Sequence, residues 1–175
     1  IAFIYKDIVF DVILLGPRDP NFITYKVLCL ISQYLGLQDA LCLKESAFNL
    51  MNITMSGQFS THITTSIFTG FIIAFPYVFW ELWRFIRPAL HSRETKLARG
   101  IVFFSSLLFI CGIVFGYYVI APLSVNFLGS YQVSSHVANE ISLTSFISTV
   151  ITVTFANGII FELPILVYFL TKIGL

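Results

Sequence analysis

The sequence predicts an all-α fold, a polytopic transmembrane helical bundle, and three observations carry that reading. Hydrophobic residues make up 57% and charged residues 11% of the 175, with a mean hydropathy of +0.88; an ordinary soluble domain carries roughly 25% charged residues. Long stretches run without charge, from Ile63 to Trp80 and from Gly100 to Asn139, and between Ile141 and Thr171 the sole charge is Glu162. Between the first two lies a short charged island, Phe85 to Lys96 (FIRPALHSRETK), with Arg84, Arg87, Arg93, Lys96 and Arg99 in or beside it. An island of this kind between apolar runs is a turn at a membrane surface. The connection from Ala121 to Asn139 has no Lys or Arg, so the positive-inside bias places the island in the cytoplasm and the later connection outside. The net charge of +1, with its basic residues gathered at one face, does not suit nucleic-acid binding.

Taken in order, residues 1–5 read as the end of a first helix, and the start at Ile1 with so short an apolar stretch before Lys6 reads as a fragment of a longer protein. Residues 6–60 follow as an extracytoplasmic loop in which Gly16, Pro17 and Pro20 mark turns. Within it Asn21 is a candidate N-cap for a helix that places Phe22, Tyr25, Leu28, Ile31 and Leu35 at helical spacing and ends at Gly36. This short amphipathic helix lies on the membrane, covers the bundle, or packs like a soluble helix on the rest of the loop. Cys29 and Cys42 flank its end on the oxidising side, where a disulfide is chemically permitted; two free buried cysteines would leave the same pattern. Cys111, inside an apolar run, reads as inert packing. Residues 48–55 suggest a brief extended stretch.

The first complete span is expected over 62–83. Gln58, His62, Thr65 and Thr69, and likewise Ser66, Gly70 and Ala74, recur at helical spacing, a face expected to meet protein. Pro76 is expected to kink the helix and free a carbonyl. Glu81 stands one turn from Arg84, which allows a local ion pair. Residues 84–99 form the cytoplasmic loop. The second span, 100–120, contains Ser105, Ser106 and a Gly112/Gly116 pair that permits close helix approach; Pro122 is expected to end it, with an extracytoplasmic loop over 121–140. The third, 141–171, would be about 46 Å long as one helix, too long for a straight upright span, so Gly158 and Pro164 are expected to kink it near 158–164. Glu162 then lies near mid-membrane, with Thr144, Ser148 and Thr152 on the same side of a straight helical wheel. A carboxyl group at that depth is costly unless it serves a purpose; it is expected to be protonated or hydrogen-bonded to a polar residue of another helix, and it either works in function or simply holds the bundle together.

The order of motifs is more specific. A span ending AFPYVFWELWRFIRPAL, a short basic loop with ETK, a span ending GYYVIAPLSVNFL and an intramembrane FELP together resemble the twin-arginine translocase TatC family, over essentially all of the sequence from Glu45 onward. The resemblance implies a bundle of six transmembrane helices with both ends in the cytoplasm. It implies a receptor for folded cargo proteins whose signal peptides carry two consecutive arginines, working with TatB-like and TatA-like single-span subunits and driven by the proton-motive force. It also implies residence in a bacterial inner membrane and self-association. Residue by residue, Glu94 matches the glutamate that helps bind the arginine pair, Phe85 the loop aromatic that acts with it, Pro88 the residue shaping the turn, and Glu162 the membrane-embedded glutamate where signal peptide or partner helices dock. No catalytic motif, cofactor site or metal-ligand set is read in the sequence. The competing expectation is a proton-coupled solute transporter with Glu162 as the coupling acid, although the three spans show no internal repeat.

Overall fold

The computed structural model describes residues 8–19, 21–34, 49–86, 98–131 and 140–173. The fold is helical, as expected. Among the described residues three helical rods are long and apolar enough to cross a membrane, over Gly57–Phe85, Val102–Ser130 and Leu143–Tyr168. Their chain order makes them alternate in direction. One end of the bundle, here the loop end, therefore holds the close of α2 (Gly57–Ile86), the start of α3 (Ala98–Phe115) and the close of α5 (Leu143–Ile173). The other, the cap end, carries a π-helical segment Ile8–Leu14, a 3-10 turn Gly16–Arg18, α1 (Ile23–Tyr34), and two short strands, β1 (Asn49–Met51) and β2 (Glu140–Ser142).

β1 and β2 pair in parallel, Leu50 opposite Ile141; β2 runs straight into α5 and β1 reaches α2 through residues 52–56, so the expected extended stretch ties α2 and α5 together at their cap ends. At the cap end Val9 and Leu14 pack with Ala121, Val125, Phe146, Ile147, Val150 and Ile151 of two of the rods in a buried apolar cluster. Along the rods, Phe75 of α2 stacks on the fully buried Phe109 of α3 at a centroid distance of 3.6 Å, and Phe68 and Phe71 meet Phe155 of α5 edge-on.

The second span runs past its expected end. Pro122 does not terminate it: Gly116–Ile120 forms a π-helical turn, Ala121 donates its backbone N–H to the Gly116 carbonyl, and α4 (Ala121–Ser130) continues the rod. A proline is tolerated in the first turn of a helix, where its missing N–H is not needed, and the wider π turn resets the register just before it. The α-helical acceptor that Pro122 cannot serve is the carbonyl of Tyr118, four residues back, and the Thr24 hydroxyl of α1 donates to that carbonyl instead. α2 is likewise longer than its expected limits, α5 has its expected length displaced by two residues, and Pro76 and Pro164 lie inside continuous helices. Gly158 is no break either; it is a packing position.

α3 and α5 are in backbone contact. A Cβ on Gly112 would stand 2.8 Å from the Asn157 carbonyl oxygen and 2.9 Å from Gly158 Cα, and one on Gly158 would meet Ile113 Cδ1 at 2.8 Å and Phe109 Cε2 at 2.9 Å. The glycine pair is thus used for close approach, as its spacing suggests. The expected face of α2 meets protein in part: Thr65 and the Ser66 hydroxyl are buried, but Gly70 is exposed and a Cβ there would touch nothing within 4 Å.

Candidate functional site

Glu162 is buried, with 6% of its surface exposed, in the seam between α5 and α3. The Ser105 hydroxyl of α3, itself fully buried, donates a hydrogen bond to Glu162 Oε2. Oε1 is equally enclosed and meets no hydrogen-bond partner among the described residues. The glycine contacts explain why these two side chains meet. Gly112 against Gly158 brings the backbones together, and from there Ser105 lies seven residues toward the loop end on α3 while Glu162 lies four residues toward it on α5. Glu162 is about 9 Å along the helix from Tyr168, where the apolar stretch closes, so it sits inside the membrane but nearer the loop end.

The expected polar stripe is different from the real one. Ser148 and Thr152 are exposed; the buried face of α5 leading to Glu162 runs through Ile147, Val150, Ile151, Thr154 and Gly158. Two turns from Glu162 along that face, a cavity of about 580 Å³ opens toward the cap end between α2, α3 with its π turn, and α5, floored by the segment around Val9 and Leu14. Its walls are apolar apart from Thr65, Thr69, Thr154 and the tyrosines 117 and 118. The Thr65 and Thr154 hydroxyls are buried there without a hydrogen-bond partner among the described residues. In the sequence Ser105 is only one of two adjacent serines in an apolar span, and the cavity is not visible there, since its walls and Ser105's partner come from separate segments.

At the loop end Phe85 stands 84% exposed beside the end of α2, and Glu81 pairs with Arg84 at 3.7 Å. Glu94 and Pro88 lie outside the described residues, as does Cys42; Cys29 is disulfide-bonded and Cys111 is free. Among the described residues no group of His, Cys, Asp and Glu is arranged to hold a metal ion.

The sequence matches the family described as TatC, Sec-independent protein translocase protein, over residues 1–175. The chain belongs to the TatC family. It is 36% identical over 97% of its length to the Sec-independent protein translocase protein TatC of Blattabacterium sp. subsp. Periplaneta americana, of which it spans 64%, and 38% identical over 65% of its length to that of Helicobacter pylori, of which it spans 45%. A crystal structure of the twin-arginine translocase receptor TatC superposes with a TM-score of 0.66 at 30% identity, covering 99% of this chain and 74% of that one. The chain is accordingly a multi-pass membrane protein of the Sec-independent protein translocase family. Within a TatC-family bundle, the seam that buries Glu162 is set by α3–α5 glycine packing, and the same two helices wall the neighbouring cavity.

Proposed function

We propose that the chain belongs to the signal-peptide receptor and assembly core of a twin-arginine translocase. This core exports folded proteins across the membrane with the proton-motive force, alongside TatB-like and TatA-like single-span subunits and without catalysing a chemical reaction. The observation that carries this reading is the whole-chain likeness to a crystal structure described as the twin-arginine translocase receptor. In this reading Glu94 meets the arginine pair. A guanidinium offers parallel donors that fit a carboxylate in bidentate fashion, which an ammonium does not reproduce, so a carboxylate discriminates arginine from lysine. One exposed pair contributes only about 0–1 kcal/mol, so affinity must come from apolar contact as well. The exposed ring of Phe85 and the cavity beside α2 and α5 offer apolar surface for a signal peptide's hydrophobic stretch. Glu162, with one carboxyl oxygen bonded to Ser105 and the other without a hydrogen bond among the described residues, is the membrane-embedded polar point for a partner helix.

The test is binding of a labelled signal peptide to the full-length protein in detergent, with twin-arginine and twin-lysine forms, comparing wild type with Glu94→Gln. Preference for the arginine peptide in wild type and its loss in Glu94→Gln are expected. A wild type that binds both peptides equally overturns the receptor reading, and solute transport past Glu162 becomes the next hypothesis to measure.

A further inference from the structure

We propose that α1 is an interfacial membrane anchor: it lies in the headgroup boundary at the cap end of the bundle with a row of apolar side chains seated in lipid. The inference is independent of the receptor reading. α1 has three kinds of surface. Tyr25 and Ser32 face the bundle and are buried. Lys26 and Gln33 lie together on one flank, exposed. Opposite the buried side, Val27, Leu30 and Tyr34 recur at intervals of three and four residues, which aligns them in one row on a helix; Leu30 is 65% and Tyr34 93% exposed, while Ile23, at the start of the same line, also borders the cavity between the rods. At about 18 Å, twelve residues are too short to cross a bilayer, so a row of this kind suits the interface plane.

The height of the helix is fixed by its hydrogen bonds. Thr24 donates to the Tyr118 carbonyl, and the Tyr25 hydroxyl lies 2.8 Å from the Pro17 carbonyl oxygen and 3.0 Å from that of Pro122. Two of these acceptors, the carbonyls of Tyr118 and Pro122, report depth, because they belong to a membrane rod. A hydrocarbon core about 30 Å thick takes about twenty residues of helix, and twenty residues counted from Val102, where the apolar rod starts, end at Ala121. Tyr118 and Pro122 therefore mark the outer boundary of the hydrocarbon. The rings packed there agree: Phe22 stacks on Tyr118 and meets Tyr117 edge-on, an aromatic group of the sort found at headgroup level. A helix hung at that depth, with its row turned away from the rod that holds it, faces lipid on one side and puts Lys26 and Gln33 where phosphates and water are. The row is thus continuous with the lipid-facing surface of the spans.

The experiment places a single fluorescent label at Leu30, or separately at Gln33, in the full-length protein with Cys111→Ser, reconstituted into phosphatidylcholine–phosphatidylglycerol vesicles. Bromine-labelled lipid and aqueous iodide serve as the two quenchers. The Leu30 label is expected to be quenched by the lipid and at least threefold less by iodide than the Gln33 label. Equal iodide quenching at the two positions would mean that the row faces water, and a Leu30 label shielded from both quenchers would mean that protein covers it; either result overturns the anchor. A second variant, Leu30→Asp with the label at Val27, is expected to move that label from lipid to iodide quenching, and an unchanged pattern counts against the proposal.

Discussion

At the scale of single residues, Glu162 shows how one hydrogen bond sets the character of a buried acid. Its Oε2 has the Ser105 hydroxyl and its Oε1 has no hydrogen bond among the described residues, so removing the serine leaves a buried carboxyl group without a side-chain partner among them. Such an orphan costs about 1–3 kcal/mol. Ser105→Ala is expected to destabilise the protein by that amount in thermal unfolding in detergent. In the Glu162→Leu background the same change should cost much less, because the acceptor is gone; additive effects of the two substitutions would show that the bond contributes nothing. Tyr25 gives a second residue-scale expectation. Burial pushes its phenol up from the ordinary value of 10.0 to about 12, and a group whose folded value is raised stabilises the folded state below about pH 10 and loses that contribution as pH climbs through 12. The tyrosinate absorbance titration of wild type minus that of Tyr25→Phe should show one component titrating near 12; a component near 10 would place the phenol in water. Glu162 was legible in the sequence because charge is rare in an apolar run. Its partner was not, since Ser105 is 57 residues away and nothing in a serine's neighbourhood identifies what it will face.

At the scale of elements, glycines separate into those that carry packing and those that do not. Gly112 and Gly158 sit where a Cβ would enter the facing helix, within 3 Å of backbone atoms in the first case and of the Phe109 and Ile113 side chains in the second, whereas Gly70 looks onto open space. Gly112→Ala must push backbone apart, an overpacking cost of typically 1–3 kcal/mol. Gly70→Ala removes only the flexibility penalty of glycine in a helix and is expected to be neutral or to stabilise by up to about 1 kcal/mol. Melting temperatures of the two variants in one detergent check the pair, and a Gly112→Ala protein as stable as Gly70→Ala would refute the contact. The spacing of Gly112 and Gly116 announced a close approach; the equally regular Ser66, Gly70 and Ala74 announced one too, and there it held only in part, with the Ser66 hydroxyl buried and Gly70 exposed, because spacing tells which residues share a face and not what the face meets. Pro122 misled for a related reason. A proline normally closes a helix because it frees a carbonyl, but Thr24, 98 residues earlier, supplies the donor for Tyr118 and the π turn absorbs the register, so the rod goes on.

At the scale of the whole molecule, the composition and charge placement were enough for the helical membrane class and for three spans, because a bilayer imposes length and apolarity segment by segment. How tightly each rod is held depends on pairs of segments, and there the rods differ. The share of residues buried within the described structure is 6% in the apolar stretch of α2, against 22% for the α3–α4 rod and 28% for α5. α3 and α5 hold each other by backbone contact and the Ser105–Glu162 bond, while α2 is joined chiefly through phenylalanine rings and the β1–β2 pair. Pro76 weakens α2 further, since it has no N–H to give to the carbonyl of Ile72, a residue on the cavity wall. Local opening is governed by the contacts that must be broken, so α2 is expected to open first. In amide exchange of the full-length protein in detergent, residues 66–78 of α2 should exchange at least tenfold faster than residues 105–113 of α3 and 150–160 of α5, and fastest around Ile72 to Pro76. Uniform protection across the three rods would show that α2 is held as firmly as its neighbours and that the cavity it walls does not breathe. Faster exchange in α2 would instead identify it as the wall that yields, and would make the cavity between α2 and α5 accessible by movement of one helix against a fixed α3–α5 pair.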